Sequence, residues 1–415
     1  MKYLGIDWAT KSHVLVMIDE HGAPLWERSV SHDWSAVQKL LKDLEQYGGP
    51  DQVTIGIESG ARRLARALAG AGHTVYEINP KQSDRFRDRF SPSGAKDDRR
   101  DALVLASAVR TDGHRMRPLR APSELDGELQ ARCRSRVSLV AQRTRLMQQL
   151  RVTLHEYHPA ILALARPLSG EFVLSLLRSY PDPARAARAQ RRGLSKLLRT
   201  HRIRVLDVEQ LRTLLRVEPF PMPAGEVGAW ADRALDLASA IEGLNHSIQQ
   251  AEHVIAHVFS SHPDRDIYMS LPGIGVLLAP YLAAEIALAL GRLPQSRALQ
   301  ALAGTSPVTR RTGKQTQGRV SMRKQCHRGL QAALFTVARC SRGSAGWAAA
   351  YFAWKRERGV RSNIALRSLS NKWVKILCKL LETRELYDEE RHTDNLRRSA
   401  VPWAPEAAQA QGVAA

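Results

Sequence analysis

Acidic side chains are scarce in this chain relative to basic ones. Its 415 residues hold 41 Asp and Glu against 62 Lys and Arg, a formal net charge of +21. A compact chain this positive repels itself unless a polyanion neutralises it. Nucleic acid is therefore the first partner to expect, and an anionic membrane surface the second. Long hydrophobic runs are missing as well. No uninterrupted apolar stretch approaches the roughly 18 residues that a spanning helix needs. The N-terminus meets an acid, Asp7, too early for a signal peptide. Both observations argue against a membrane partner. Cysteine is sparse: Cys133, Cys326, Cys340 and Cys378 form no CxxC pair. That excludes a zinc ribbon and a disulfide framework and points to a reducing cytoplasm. Apolar residues, by contrast, make up 44% of the chain, enough to build real cores. The length suits two or three domains.

The shortage of acid is local. Between Glu285 and Glu357 lie 71 residues without Asp or Glu, and they hold 13 Lys and Arg. Arg310, Arg311, Lys314, Arg319, Arg323, Lys324 and Arg328 are the candidate phosphate contacts in this stretch. A second block, Arg185 to Arg204, has eight basic residues and no acid. A solvated basic face is the ordinary explanation for a short charge run. It fits the second block better than the first, because ordinary surfaces mix signs.

Residues 1–120 read as an α/β unit. Strands are expected at Tyr3–Asp7, His13–Asp19, Pro24–Val30, Val53–Ile57 and Thr74–Ile78. Helices are expected at Ser35–Tyr47, Ala61–Ala71 (closed by Gly72) and Asp98–Val109. Three strands, helix, strand, helix, strand, helix is the order of an RNase H-like fold. Residues 121–264 read as helical. A long helix is expected from about Leu125 to Tyr157, with Leu129, Cys133, Val137, Val140, Thr144 and Met147 on one stripe. Trp230, Ala234, Leu237, Ile241, Leu244, Ile248, Ala251, Ile255 and Val258 then step by fours and threes, a heptad seam. The seam predicts a coiled coil within the chain or between protomers; one helix packed on its own domain stays open. Residues 265–395 read as mostly α-helical, and the Pro/Ala/Gln-rich end, 396–415, as a disordered tail. Trp347, Tyr351, Phe352 and Trp354 would either stack on bases or belong to a helical core.

Four acids stand out. Asp7 ends the first strand and Glu58 follows the fourth. Neighbouring strands in an RNase H-like sheet would bring both to one edge. Asp98 and Asp101 are three apart and share a helix face, within the run Lys96-Asp97-Asp98-Arg99-Arg100-Asp101-Ala102. Acids this crowded need a cation or basic neighbours. Hard oxygen ligands suit Mg²⁺ or Mn²⁺, and such ions can clamp both oxygens of a phosphoryl transfer. Each acid also has a local role open to it, as turn residue, helix cap or dipole partner. Asp97 competes with Asp98 for its place.

Gly5-Ile6-Asp7-Trp8-Ala9-Thr10-Lys11, Ile57-Glu58-Ser59-Gly60 and Lys96 to Ala102 together resemble the DEDD set of a RuvC-like domain. Leu271-Pro272-Gly273-Ile274-Gly275 and Leu302-Ala303-Gly304-Thr305-Ser306-Pro307 resemble the second domain of the same proteins. These are the DEDD transposases of bacterial insertion-sequence family 110, bridge-RNA-guided recombinases. The resemblance covers about 1–120 and 265–390. It implies a RuvC-like domain in which Asp7, Glu58, Asp98 and Asp101 bind Mg²⁺ or Mn²⁺. It implies a C-terminal transposase domain whose hydroxyl attacks DNA to form a covalent phospho-protein intermediate. It also implies active sites shared between protomers of a dimer or tetramer, and a structured bridge RNA that selects donor and target DNA.

At the nucleophile this chain departs from the family. The family serine falls on Thr312, whose secondary alcohol can still act as a nucleophile. Ser306, Ser321 or another hydroxyl taking over, or a weakened enzyme, remain open. The Leu-Pro-Gly-Ile-Gly step fits either a backbone phosphate contact or a plain helix–helix turn. Two rivals stand beside the transposase: a RuvC-like structure-specific nuclease using water, and a non-catalytic nucleic-acid-binding protein.

Overall fold

The computed structural model describes residues 1–90, 97–119, 123–290, 296–310, 319–323 and 326–405. The chain divides into two compact units, one formed by 1–127 together with 263–415 and the other by 128–262.

The N-terminal part of the first unit is a five-stranded sheet. Its strands are β1 (Lys2–Asp7), β2 (Ser12–Ile18), β3 (Pro24–Ser31), β4 (Val53–Glu58) and β5 (Thr74–Ile78), in spatial order β3-β2-β1-β4-β5. The first three pair antiparallel; β1, β4 and β5 run parallel. This mixed sheet is the RNase H-like arrangement expected of the N-terminal domain. The longer helices that accompany it are α1 (Trp34–Glu45), α2 (Arg62–Gly70), α3 (Pro80–Arg87) and α4 (Asp98–Asp112). Leu4, Ile6, Ile55 and Ile57 face one side and pack with Val37, Leu40, Leu44, Leu64 and Leu68. The other side carries Gly5 and Gly56, directly paired across β1 and β4, and receives α4.

Helix α3 is not among the expected helices: Asn79-Pro80 after β5 is a strand stop. It is that stop and a helix start at once. The Asn79 side chain accepts from the Lys81 N–H in a capping box with Gln82, and Pro80 sits in the first turn. There its fixed φ suits a helix and its missing N–H costs nothing.

In the second unit, α5 (Glu124–Tyr157) and α6 (Ala224–Ser260) are the long helices. Arg136 Nε donates to Glu252 Oε1 at 2.8 Å, and Arg143 Nη1 to Asn245 Oδ1 at 2.9 Å. One helix advances by a heptad while the other retreats by one, so the two run antiparallel. On α6, every seventh residue of the seam, Ala234, Ile241, Ile248 and Ile255, is buried, while Leu244 and Ala251 are half-buried. Of the stripe expected on α5, Leu129 and Cys133 are buried, Val140 and Met147 are half-buried, and Val137 is 44% exposed. Between the long helices lie five short ones, from Pro159–Ala163 to Val208–Leu215. All eight basic residues of the Arg185–Arg204 block are exposed around the buried Ala186, Leu194 and Leu198. Two of them make ion pairs, Arg185 with Asp182 and Arg191 with Glu209.

The C-terminal part of the first unit is mostly helical: α7 (Leu278–Leu290), α8 (Arg328–Ser341), α9 (Gly346–Glu357), α10 (Ser362–Thr383) and α11 (Glu389–Arg398). It departs from the helical expectation at a two-stranded hairpin, β6 (Pro307–Arg310) and β7 (Arg319–Met322). It departs again at the expected tail, where α11 runs to Arg398 and Trp403 packs on Tyr351. The last ten residues, 406–415, lie outside the described residues.

Candidate active site

The site begins with a pattern repeated in two strands, Gly-Ile-acid. Ile6 and Ile57 pair in parallel register, so Asp7 and Glu58 end β1 and β4 side by side. Side chains alternate along a strand. Asp7 therefore shares a face with Gly5, and Glu58 with Gly56. Both glycines make room for α4. An added Cβ at Gly5 would lie 1.8 Å from the Ala102 carbonyl oxygen, and one at Gly56 would lie 2.6 Å from that of Leu105. Asp7 stands two residues past Gly5, about 7 Å along the strand. Asp98 stands about one turn, roughly 6 Å, before Ala102. Arg110, at the other end of α4, reaches the Glu20 carbonyl beyond β2. The helix N-terminus is thus aimed at the edge where the strand acids emerge, and its dipole favours negative charge there.

The four acids have different surroundings. Asp7 and Glu58 are half-buried, and Asp98 is exposed in the first turn of α4. Asp101 is buried, and Arg87 Nε donates to its Oδ1 at 2.7 Å. The same guanidinium donates through Nη1 to Asp84 Oδ1 at 2.9 Å. Asp97 precedes α4 as its N-cap residue, without a side-chain cap bond, so its place is at the boundary and not on the helix face. Among the described residues, no three His, Cys, Asp or Glu side chains are close enough to enclose a metal ion. The oxygen donors fit a hard divalent cation in chemical type. Asp7, Glu58 and Asp98 come to one edge, whereas Asp101 is already held by Arg87. Arg87 is the basic neighbour that the acid crowding demanded. Sequence reading missed it because it missed the helix that carries it.

Two further residues hold the loop after Asp7. Ala9 N–H donates to His13 Nδ1 at 3.3 Å, and His13 Nε2 lies 2.9 Å from His32 Nδ1. Accepting at Nδ1 leaves the His13 proton on Nε2, facing His32. Burial, with His32 second, holds the His13 pKa below its ordinary value. Across the edge, Gly60 has a φ of +145°, and its missing side chain is replaced by the Trp8 indole, 2.8 Å from where a Cβ would stand. The loops after β1 and β4 are thereby packed on each other.

In the C-terminal part, Arg310 and Arg319 take paired register positions on the hairpin. Arg323 and Arg328 are exposed. Thr312, Arg311, Lys314 and Lys324 lie outside the described residues. Of the alternative hydroxyls, Ser306 is half-buried next to β6, and Ser321 pairs with Val308. Thr305 is buried; its carbonyl accepts from Asn371 Nδ2, and Gln300 Nε2 donates to the Asn371 carbonyl. These bonds tie the Ala303-Gly304-Thr305 step to α10. Gly273, with a φ of +73°, approaches the Cys340 carbonyl, where a Cβ would stand 2.8 Å away. Its role is close packing against the end of α8. Gly275 has open space around it.

Comparison with known proteins now adds the family. The pattern of the DEDD transposases of the IS110 group matches residues 4–159, and that of the IS116/IS110/IS902 transposase family matches residues 265–353. An IS117 mini-circle protein of Streptomyces coelicolor, named as a candidate transposase, is 32% identical over 96% of this chain and 98% of its own length. The protein of insertion element IS110 from the same species is 27% identical over 93% and 95%, and that of IS900 from Mycobacterium paratuberculosis 25% identical over 93% and 96%. This chain belongs to the IS110 family of insertion-sequence transposases. The first match contains all four acids, and the second contains Thr312 and the hairpin. The transposase has no described helix long and apolar enough to cross a membrane.

Proposed function

We propose that this transposase cuts and exchanges DNA strands through a covalent intermediate on Thr312, with a divalent cation, Mg²⁺ or Mn²⁺, at Asp7, Glu58, Asp98 and Asp101. The observation that carries the reading is the pair of Gly-Ile-acid strand ends lying side by side with the α4 N-terminus aimed at them. Bound there, the cation would supply Lewis-acid stabilisation of charge on phosphate oxygens. Asp7 and Glu58 orient it from the sheet and Asp98 from the helix. Arg87 fixes the rotamer of Asp101 by engaging Oδ1.

In the chemical step, a Thr312 Oγ1–P bond forms and one P–O ester bond of the DNA breaks. The hydroxyl proton leaves to solvent or a base, and the departing deoxyribose oxygen takes up a proton. Arg310, Arg311, Lys314, Arg319, Arg323, Lys324 and Arg328 hold the phosphates and stabilise the developing charge. A structured bridge RNA selects donor and target. The α5–α6 helices support self-association, as a coiled-coil dimer or tetramer, that brings the acids of one protomer to the hydroxyl of another.

Trapping tests the central step. Wild-type protein with DNA and Mg²⁺ should yield a denaturant-stable protein–DNA adduct, and Thr312→Ala should yield none. An adduct that survives in Thr312→Ala overturns the nucleophile. Cleavage without any adduct turns the reading to a nuclease that uses water. Sequencing the RNA that copurifies tests the guide; absence of a specific RNA removes it and leaves DNA binding intact.

A further inference from the structure

Of the aromatic residues late in the acid-free stretch, Trp347 is core, but Tyr351 and Trp354, joined by Trp403, are neither a plain core nor an open platform for bases. Tyr351 is buried, but Trp354 and Trp403 are half-buried. Trp403 lies 5.0 Å from both Tyr351 and Trp354, centroid to centroid, and Tyr351 lies 6.0 Å from Trp354. Three cations cover the rings. Lys355 Nζ is 5.0 Å and the Arg358 guanidinium 4.2 Å from the Trp354 centroid, and Lys372 Nζ is 4.8 Å from that of Trp403. Ring faces used in this way by cations and by each other are not free to stack on a base.

The polar atoms of the cluster are donors in excess. The Nε1–H groups of Trp354 and Trp403 are buried without a hydrogen-bond partner. Indole, ammonium and guanidinium groups can only donate. Among the described residues, Lys355, Arg358 and Lys372 make no ion pair; Arg358 spends one N–H on the Trp354 carbonyl. Glu357, the nearest acid in sequence, is exposed and takes none of them. Burial, together with the charges of Lys375 and Lys355, holds the Lys372 pKa below its ordinary value. Donors and positive charge gathered without an anionic partner among the described residues fit a small anion with several oxygens. In a chain of net charge +21, that anion is a phosphodiester.

We propose that Tyr351, Trp354 and Trp403 with Lys355, Arg358 and Lys372 form a phosphate-backbone site for nucleic acid, separate from the DEDD acids and the hairpin. The assignment rests on the reading of this chain as an enzyme acting on nucleic acid, and it adds a backbone contact made by residues other than the hairpin arginines.

The test is binding of full-length protein to a duplex DNA and to a single-stranded RNA, by fluorescence anisotropy across a salt series. Lys355→Gln with Lys372→Gln should weaken binding several-fold and flatten the slope of log K against log salt. The flattening should be about 0.9 per lost contact on duplex and about 0.7 on single strand. Trp354→Phe keeps a ring but removes the N–H; it should weaken binding at an unchanged slope. Lys39→Gln with Lys42→Gln, exposed on α1, makes the same charge change and should leave the slope alone. A loss confined to one polymer identifies whose backbone the site holds. Should the α9–α10 lysine pair behave as the α1 control does, with Trp354→Phe like wild type, the site is overturned while the transposase reading stands. If wild type binds neither polymer, both fall.

Discussion

Replacing Gly5 by alanine should damage both stability and catalysis, for a reason visible in one contact. The new Cβ would lie 1.8 Å from the Ala102 carbonyl oxygen and 2.6 Å from the Ala106 nitrogen. Ordinary contact is about 3.5 Å, so α4 would have to retreat by roughly 1.5–2 Å. Both partners are backbone, so no side chain can turn away to absorb the strain. Overpacking usually costs about 1–3 kcal/mol, and a backbone clash belongs at the upper end, about 3 kcal/mol. In a unit of this size that corresponds to a fall of about 6–12 °C in Tm. The same retreat carries Asp98 and Asp101 away from Asp7 and Glu58. A misplacement of about 1 Å can cost roughly a hundredfold in rate. Strand transfer should therefore fall by at least that factor at temperatures where the variant is folded. Gly56→Ala should be milder, because one of its two contacts at 2.6 Å is the Val109 methyl, which can rotate. Adding Ala102→Gly to Gly5→Ala should not rescue, since the clash is with the carbonyl. Thermal unfolding by circular dichroism and a strand-transfer assay measure the two effects. Wild-type stability and activity in Gly5→Ala would refute the docking of α4 on the glycine face.

Other perturbations follow from single contacts. Arg87→Ala leaves the buried Asp101 carboxylate without its guanidinium. Breaking a fully buried pair costs about 3–5 kcal/mol; with the Arg87 side chain 20% exposed the loss should be nearer 2, read by urea unfolding. Arg87→Lys should recover only part of this, because one ammonium cannot replace the fork that grips Asp101 and Asp84 together; a neutral effect of Arg87→Ala would remove the ion pair from the account. His158 is buried, and desolvation pushes its pKa down to about 4. The unfolded chain, near 6.5, takes up the proton first. The second unit should thus keep this stability above pH 6.5 and lose it as pH falls toward 4, by up to about 3 kcal/mol. His158→Gln should flatten that pH dependence, and an unchanged slope in this variant would disprove the assignment. Thr312→Ser, which keeps the hydroxyl as a less hindered primary alcohol, should form the covalent adduct at least as fast as wild type; a dead serine variant would count against Thr312 as the attacking hydroxyl.

Much of the N-terminal domain was legible because strand alternation and helix spacing both report burial, and this sheet buries both faces. Every expected strand and helix there appears, with ends shifted by at most three residues. The strand-end placement of Asp7 and Glu58 was legible for a related reason, since each polar residue follows an apolar run that reports a buried strand. The glycines two residues before them were equally visible but went unread. Their meaning lies in a helix, Asp98–Asp112, that arrives far beyond either glycine in sequence, and local spacing carries no trace of it. The same limit hid Arg87. Asn79-Pro80 ends a strand and also opens a helix, through the capping box with Gln82 and Pro80 in the first turn. In the C-terminal part, short strands of four residues give no periodicity to detect, so the mostly helical expectation carried no sign of β6 and β7. The aromatic cluster shows the limit most clearly. Helical spacing alone made Trp354 a core residue or a stacking platform. Its unsatisfied N–H, the partner ring from Trp403 and the lysine reaching over from α10 come from segments up to 50 residues apart. What a sequence leaves hardest to read is thus where charges and donors meet from distant segments, and such meetings decide between packing and binding.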